Sequence, residues 1–212
     1  MATDEEQAIA EIIQTLTLGH GCHAAILYGS RARGDFQSTS DWDVAGIREV
    51  GTTSPLRVAR AFRGAWLDAF VYPEAAFAAI DPELLRFLPA RILVDERGFA
   101  KTLLERVAAL DQQGPPPLPE GESEMVRVWY AKIMERIARG DLESKYRQVE
   151  LLYQALDDYF KLRTLWYRGP KAALPWLARH DPDTHAAFVH ALEPHASLDD
   201  LRALVQRVLP AQ

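Results

Sequence analysis

Apolar residues first recur at helical spacing: Ala8, Ile9, Ile12, Ile13 and Leu16 fall on one face behind Thr3 and Glu6, which are spaced as a capping box. The spacing predicts a helix over 4–17. The pattern then changes to short, continuous apolar runs. Residues 23–28, ended by Gly29-Ser30, read as a buried strand, 41–47 as a second, 65–72 as a third and 90–94 as a fourth. Helices are expected near 55–62, 74–80 and 98–110.

Proline and glycine crowd residues 113–121, a composition that excludes both helix and sheet interior and marks a linker. Beyond it, residues 125–139 and 142–167 show helical periodicity with no alternating segment, and Gly169-Pro170 is read as the stop of the long helix. Shorter helices are expected over 172–178, 185–192 and 198–208. The fold class is therefore α+β, with a mixed sheet flanked by helices over 1–112, a linker over 113–121 and an all-α bundle over 122–212.

Composition narrows this little: 48% apolar and 25% charged residues are those of an ordinary globular chain. The single cysteine, Cys22, excludes an internal disulfide and a cysteine zinc site, which fits a reducing, cytoplasmic setting. The start of the chain lacks the basic and continuous apolar regions of a secretory leader, and charges interrupt every run that approaches a membrane span, so no membrane partner is expected. Net charge is −6, and residues 1–112 carry 11 Lys and Arg against 16 Asp and Glu. That balance argues against a duplex nucleic-acid partner. His180, His185, His190 and His195 recur every five residues, an interval that does not keep ligands on one helical face.

The chemistry concentrates in residues 29–43. Gly29 permits close backbone approach to a phosphate, and Ser30 offers a hydroxyl and an N–H. Arg31 and Arg33 stand beside them and can bind phosphate oxygens. Asp41 and Asp43, two residues apart on an expected strand, project their carboxylates from one face. Such a pair calls for a cation, and Mg²⁺ is the hard ion that suits carboxylate and phosphate together. Asp68, a lone carboxylate in an apolar strand, is explained if it is a third ligand.

Gly29-Ser30, ten residues, then Asp41-x-Asp43, with Asp68 placed as a third acid, resembles the signature of the DNA polymerase β nucleotidyltransferase superfamily. The resemblance implies a nucleotidyltransferase-type mixed sheet and a transferase of the EC 2.7.7 class. It also implies a two-ion Mg²⁺ site on Asp41, Asp43 and Asp68, an NTP as co-substrate, and in-line attack of an acceptor hydroxyl on the α-phosphorus. More loosely, residues 156–171 resemble the helical domain of kanamycin-type nucleotidyltransferases. That implies a small-molecule acceptor such as an antibiotic, a general base among Glu150, Asp157 and Asp158, Lys171 as a phosphate ligand, and a homodimer. Two other functions compete. Minimal nucleotidyltransferase antitoxins imply AMP transfer to a protein partner, though the fused helical half departs from their bare catalytic domain. A non-catalytic interaction protein keeping the fold would have no need of three crowded carboxylates.

Overall fold

The structure, a computed structural model, describes residues 3–51 and 54–210. The chain divides into two compact units, Met1–Gln113 and Gly114–Gln212.

The first unit is a five-stranded mixed sheet with helices. Helix α1 (Asp4–His20) begins at the Thr3/Glu6 capping box and stops at Gly21, whose φ of 66° closes the last turn. Strand β1 (Ala24–Tyr28) leads through the five-residue helix α2 (Gly29–Arg33) and a loop to β2 (Trp42–Arg48). Strands β3 (Leu56–Phe62) and β4 (Ala65–Pro73) follow, then 3-10 turns at Glu74–Phe77 and Pro82–Phe87, β5 (Arg91–Asp95) and helix α3 (Phe99–Gln113). The sheet order is β3-β4-β2-β1-β5, with β2 and β4 parallel and the remaining pairs antiparallel.

The two faces of the sheet differ. Ala8, Ile12 and Leu16 of α1 pack with Ala25, Leu27, Val44, Leu67, Ala69 and Val71 into one core. On β4 the alternate residues Asp68, Phe70 and Tyr72 point to the opposite face. There an aromatic cluster forms, with Tyr28 on Phe87 at 5.0 Å and Tyr72 on Phe77 at 5.2 Å between ring centroids.

The segment 55–62 is a strand and not the expected helix. Arg63 and Gly64 both adopt positive φ, 49° and 78°, so they form a two-residue turn, and Phe62 pairs with Ala65 across it. This turn matches the right-handed twist of a hairpin and recruits 56–62 into the sheet. The run Leu56-Arg57-Val58-Ala59-Arg60-Ala61-Phe62 suits an edge strand, because most of it stays in water. The helix expected at 74–80 is reduced to the 3-10 turn Glu74–Phe77, with a second at Pro82–Phe87.

The second unit is helical: α4 (Glu122–Ile137), α5 (Leu142–Lys161), α6 (Pro170–His180), α7 (Pro182–Ala191) and α8 (Leu198–Val208). Tyr130, Ile133, Leu151, Ala155, Leu177, Phe188, Leu201 and Leu204 form its core. Helix α5 ends at Lys161, where Thr164 takes a φ of 54°, and does not continue to Tyr167. Gly169-Pro170 therefore starts α6, with proline in the first turn where its missing N–H costs nothing, and is not the stop of the preceding helix.

Asp181 ties this unit together. Its carboxylate caps α7 by accepting from the Thr184 N–H at 3.1 Å and hydroxyl at 2.8 Å, and it also accepts from the Tyr159 hydroxyl at 2.8 Å. Burial works to raise its pKa, but these hydrogen bonds and nearby Arg163 outweigh it and hold the carboxyl below its ordinary value. A depressed carboxylate stabilises the fold above its unfolded pKa of about 3.9, and that stability is lost as pH falls through the folded value. Asp181→Ala should therefore cost about 1–2 kcal/mol in urea unfolding at neutral pH and distinctly less in strong acid. An equal cost at both pH values would show that the charge is not involved.

Candidate active site

The parallel pairing of β2 with β4 sets Asp43 directly beside Asp68. In-register neighbours on adjacent strands project to the same face about 5 Å apart. Tyr28 lies opposite Asp43 on the other side, so Tyr28, Asp43 and Asp68 form one row across the sheet. Both carboxylates are half-buried. Burial first, and then the charges of Asp43 and Asp68 among others, push the Tyr28 phenol pKa well above its usual value.

Gly29 follows Tyr28 with a φ of 74°, a conformation glycine adopts without strain. A Cβ added there would lie 2.3 Å from Oδ2 of Asp43, so the bare backbone is what leaves room for that carboxylate. Ser30 is the next residue and lies in the first turn of α2, at the same end of the sheet.

Asp68 is held by Arg57 of β3. The guanidinium donates from Nε to Oδ1 at 2.8 Å and from Nη2 to Oδ2 at 2.9 Å, a two-pronged match to the carboxylate. Arg57 also sits 5.5 Å from the Phe70 ring centroid. The hydrogen bonds to Asp68, with its charge, raise the Arg57 pKa further. Sequence reasoning missed this partner because it lies on the segment read as a helix. The Arg63-Gly64 pair that ends the segment was the available signal.

Arg31 turns its guanidinium to the loop that joins α2 to β2. It donates to the Ser40 carbonyl from Nε at 3.0 Å and Nη2 at 2.7 Å, and stacks 4.0 Å over the Trp42 ring. These contacts brace the loop that delivers Asp41. Arg33 is paired with Asp35 at 3.1 Å. Asp41 lies just before β2 and is exposed. Among the described residues, no three His, Cys, Asp or Glu side chains are gathered as a ready metal cage. The donor set present is the Asp43/Asp68 pair, with Asp41 one step outside the strand.

The second unit holds the remaining candidates. Glu150 is paired with Arg147 at 2.8 Å. Asp158 is 3% exposed and accepts from the Tyr130 hydroxyl at 3.0 Å and the Gln154 amide at 3.1 Å. Asp157 is half-buried, and its pKa is raised, first by burial and then by the charge of Asp158, against a smaller opposing effect of Lys161. Lys171 is exposed in the first turn of α6. No helix among the described residues is long and apolar enough to cross a membrane.

Two predictions follow from this geometry. Gly29→Ala forces a methyl against Asp43 in a left-handed conformation and should cost about 1–3 kcal/mol. Adding Asp43→Ala removes the collision, so the double variant should lose less than the two single losses together; strict additivity in denaturant unfolding would refute the contact. For Asp157, a folded pKa above the unfolded one means the native state binds the proton more tightly and loses stability as pH rises through that window. Asp157→Asn should raise the melting temperature at neutral pH and have little effect below about pH 3.5. A variant that melts lower at neutral pH would reverse the sign of that argument.

No protein-family model matches the chain, and no curated protein matches it. Among solved structures it is similar to a nucleotidyltransferase-like protein from Exiguobacterium sibiricum. That likeness has 12% sequence identity and a TM-score of 0.42 over 96% of this chain and 74% of the other.

Proposed function

We propose that the chain is a nucleotidyltransferase of the polymerase β type that moves a nucleoside monophosphate from an NTP to a hydroxyl of a small-molecule acceptor. The observation that carries this reading is the Asp43/Asp68 pair, in register on neighbouring parallel strands, with Gly29 kept bare beside the Asp43 carboxylate. Two carboxylates this close repel unless a positive charge stands between or beside them. Oxygen donors of this kind suit Mg²⁺.

Asp43 and Asp68, joined by Asp41 from the loop, are the residues that would hold the metal. When bound, Mg²⁺ supplies charge neutralisation and orientation for the triphosphate. The chain's own residues do the rest. Ser30 offers its hydroxyl and N–H to a phosphate oxygen, and the bare Gly29 backbone allows that approach. Arg31 fixes the loop on Ser40 and Trp42 and so sets the position of Asp41. Arg33 carries charge for phosphate oxygens. The acceptor hydroxyl displaces pyrophosphate from the α-phosphorus, and its proton passes to a carboxylate. Of Glu150, Asp157 and Asp158, Asp157 is the best suited, since Glu150 is paired with arginine and Asp158 is engaged by two neutral donors. The raised pKa of Asp157 also brings it closer to what a proton acceptor needs.

Arg57 competes with a cation for Asp68 in this scheme. Pyrophosphate release from each NTP, with Mg²⁺ and a panel of hydroxyl-bearing antibiotics as acceptors, tests the reading. Asp43→Ala should abolish release with the fold intact by circular dichroism, and Asp68→Ala should impair it severely. Arg57→Gln should lower the Mg²⁺ concentration that gives half-maximal release. Full turnover in Asp43→Ala would sink the proposal, and an unchanged Mg²⁺ requirement in Arg57→Gln would remove Arg57 from it.

A further inference from the structure

The helical unit contains a cavity of about 390 Å³ between α4 and α5, lined by Met125, Val126, Trp129, Gln154 and Asp158, with Glu122, Glu150 and Lys161 around it. That volume lies in the range of small-molecule sites, roughly 300–1,000 Å³. Its walls are two-sided in character. Met125, Val126 and Trp129 present apolar surface, and Trp129 is set edge to face on Tyr130 with ring centroids 4.9 Å apart.

The charges around the cavity do not all cancel. Lys161 is ion-paired with Glu122, and Arg147 is paired with Glu150. Asp158 is left with two neutral donors, the Tyr130 hydroxyl on Oδ2 and the Gln154 amide on Oδ1. An ionised carboxylate accepts about four hydrogen bonds, so each oxygen retains capacity. A carboxylate only 3% exposed, with no ion pair among the described residues, sits beside a cavity with an aromatic wall. The positive charge that acts on it, Lys161, is already ion-paired with Glu122, so a further cation entering the cavity would lower the cost of burying the Asp158 carboxylate.

We infer that this cavity binds an organic monocation: a primary ammonium placed against Asp158, with a ring or short apolar body laid along Trp129, Val126 and Met125. Of the carboxylates lining the cavity, Asp158 is the one without an ion pair, and this sets the place of the ammonium. The indole face adds attraction for the cation, and its area covers the apolar body. The inference stands apart from the transfer reaction proposed above, because binding requires neither NTP nor Mg²⁺.

Isothermal titration of the whole protein at neutral pH with 2-phenylethylamine, and with 2-phenylethanol as its uncharged counterpart, tests it. The amine should bind at a single site, about tenfold or more tighter than the alcohol, because the charge-assisted hydrogen bond to Asp158 is the main discriminator. Asp158→Asn should bring the amine down to the affinity of the alcohol, while Glu150→Gln should leave it within about twofold, its charge already being met by Arg147. Met125→Trp, a change at a largely exposed residue of the rim, should weaken both ligands by obstruction and keeps the test decisive if Asp158→Asn does not fold. No amine binding at millimolar concentration would overturn the inference. So would equal binding of the alcohol, or undiminished amine binding in folded Asp158→Asn or Met125→Trp.

Discussion

The first unit is organised by the parallel register of β2 and β4. A shift of one residue would turn Asp43 or Asp68 to the α1 face, where Leu67, Ala69 and Val71 now pack against Ile12 and Leu16. The apolar set on one face thus fixes the polar set on the other. Parallel neighbours need a connection that returns to the same end of the sheet, and here β3 provides it by running back along the far side of β4. The same strand delivers Arg57 to Asp68. One topological requirement therefore places both carboxylates and the cation that offsets one of them.

Around that row, small local devices keep space and order. Gly29 supplies space: its positive φ turns the chain out of β1, and its missing side chain leaves room for the Asp43 carboxylate. Arg31 supplies order, since one guanidinium between the Ser40 carbonyl and the Trp42 ring ties the loop to the start of β2. An arginine suits that task better than a lysine because its planar head can donate in its plane and stack on its face at once.

Much of this was legible in the sequence. The capping box of α1, the strands and the Gly29-Ser30 to Asp41-x-Asp43 spacing follow from periodicity and from a few residues with narrow conformational or chemical uses. What was not legible depended on pairings distant in the chain. Residues 56–62 look helical when alanine and arginine are counted, and only the Arg63-Gly64 turn, by supplying two positive φ angles in succession, commits them to a hairpin. With that segment misread, the Asp68 partner was invisible, and a lone carboxylate in an apolar strand was assigned to a metal alone. The contacts of Arg31 were not legible for a related reason: its backbone acceptors at Ser38 and Ser40 depend on how the loop folds. In the helical half, Asp158 could be placed on a helix from sequence, but its burial against Tyr130 of α4 depends on how α4 packs on α5.

The two units resolve the same electrostatic difficulty in different ways. In the sheet, Asp68 is half-buried and meets a guanidinium at the edge strand, so solvent and ion pair share the work. In the helical bundle, Asp158 is withdrawn from water and given only a phenol and an amide, donors that stabilise a carboxylate without cancelling its charge. The consequence for Tyr130 is a phenol whose proton is held far more tightly than usual, by burial first and by the facing carboxylate next. That phenol therefore stays a donor to Asp158. A bundle built for stability alone would gain by replacing such a carboxylate with an apolar side chain of similar size. Its place at the wall of a cavity is the physical ground for assigning it a ligand.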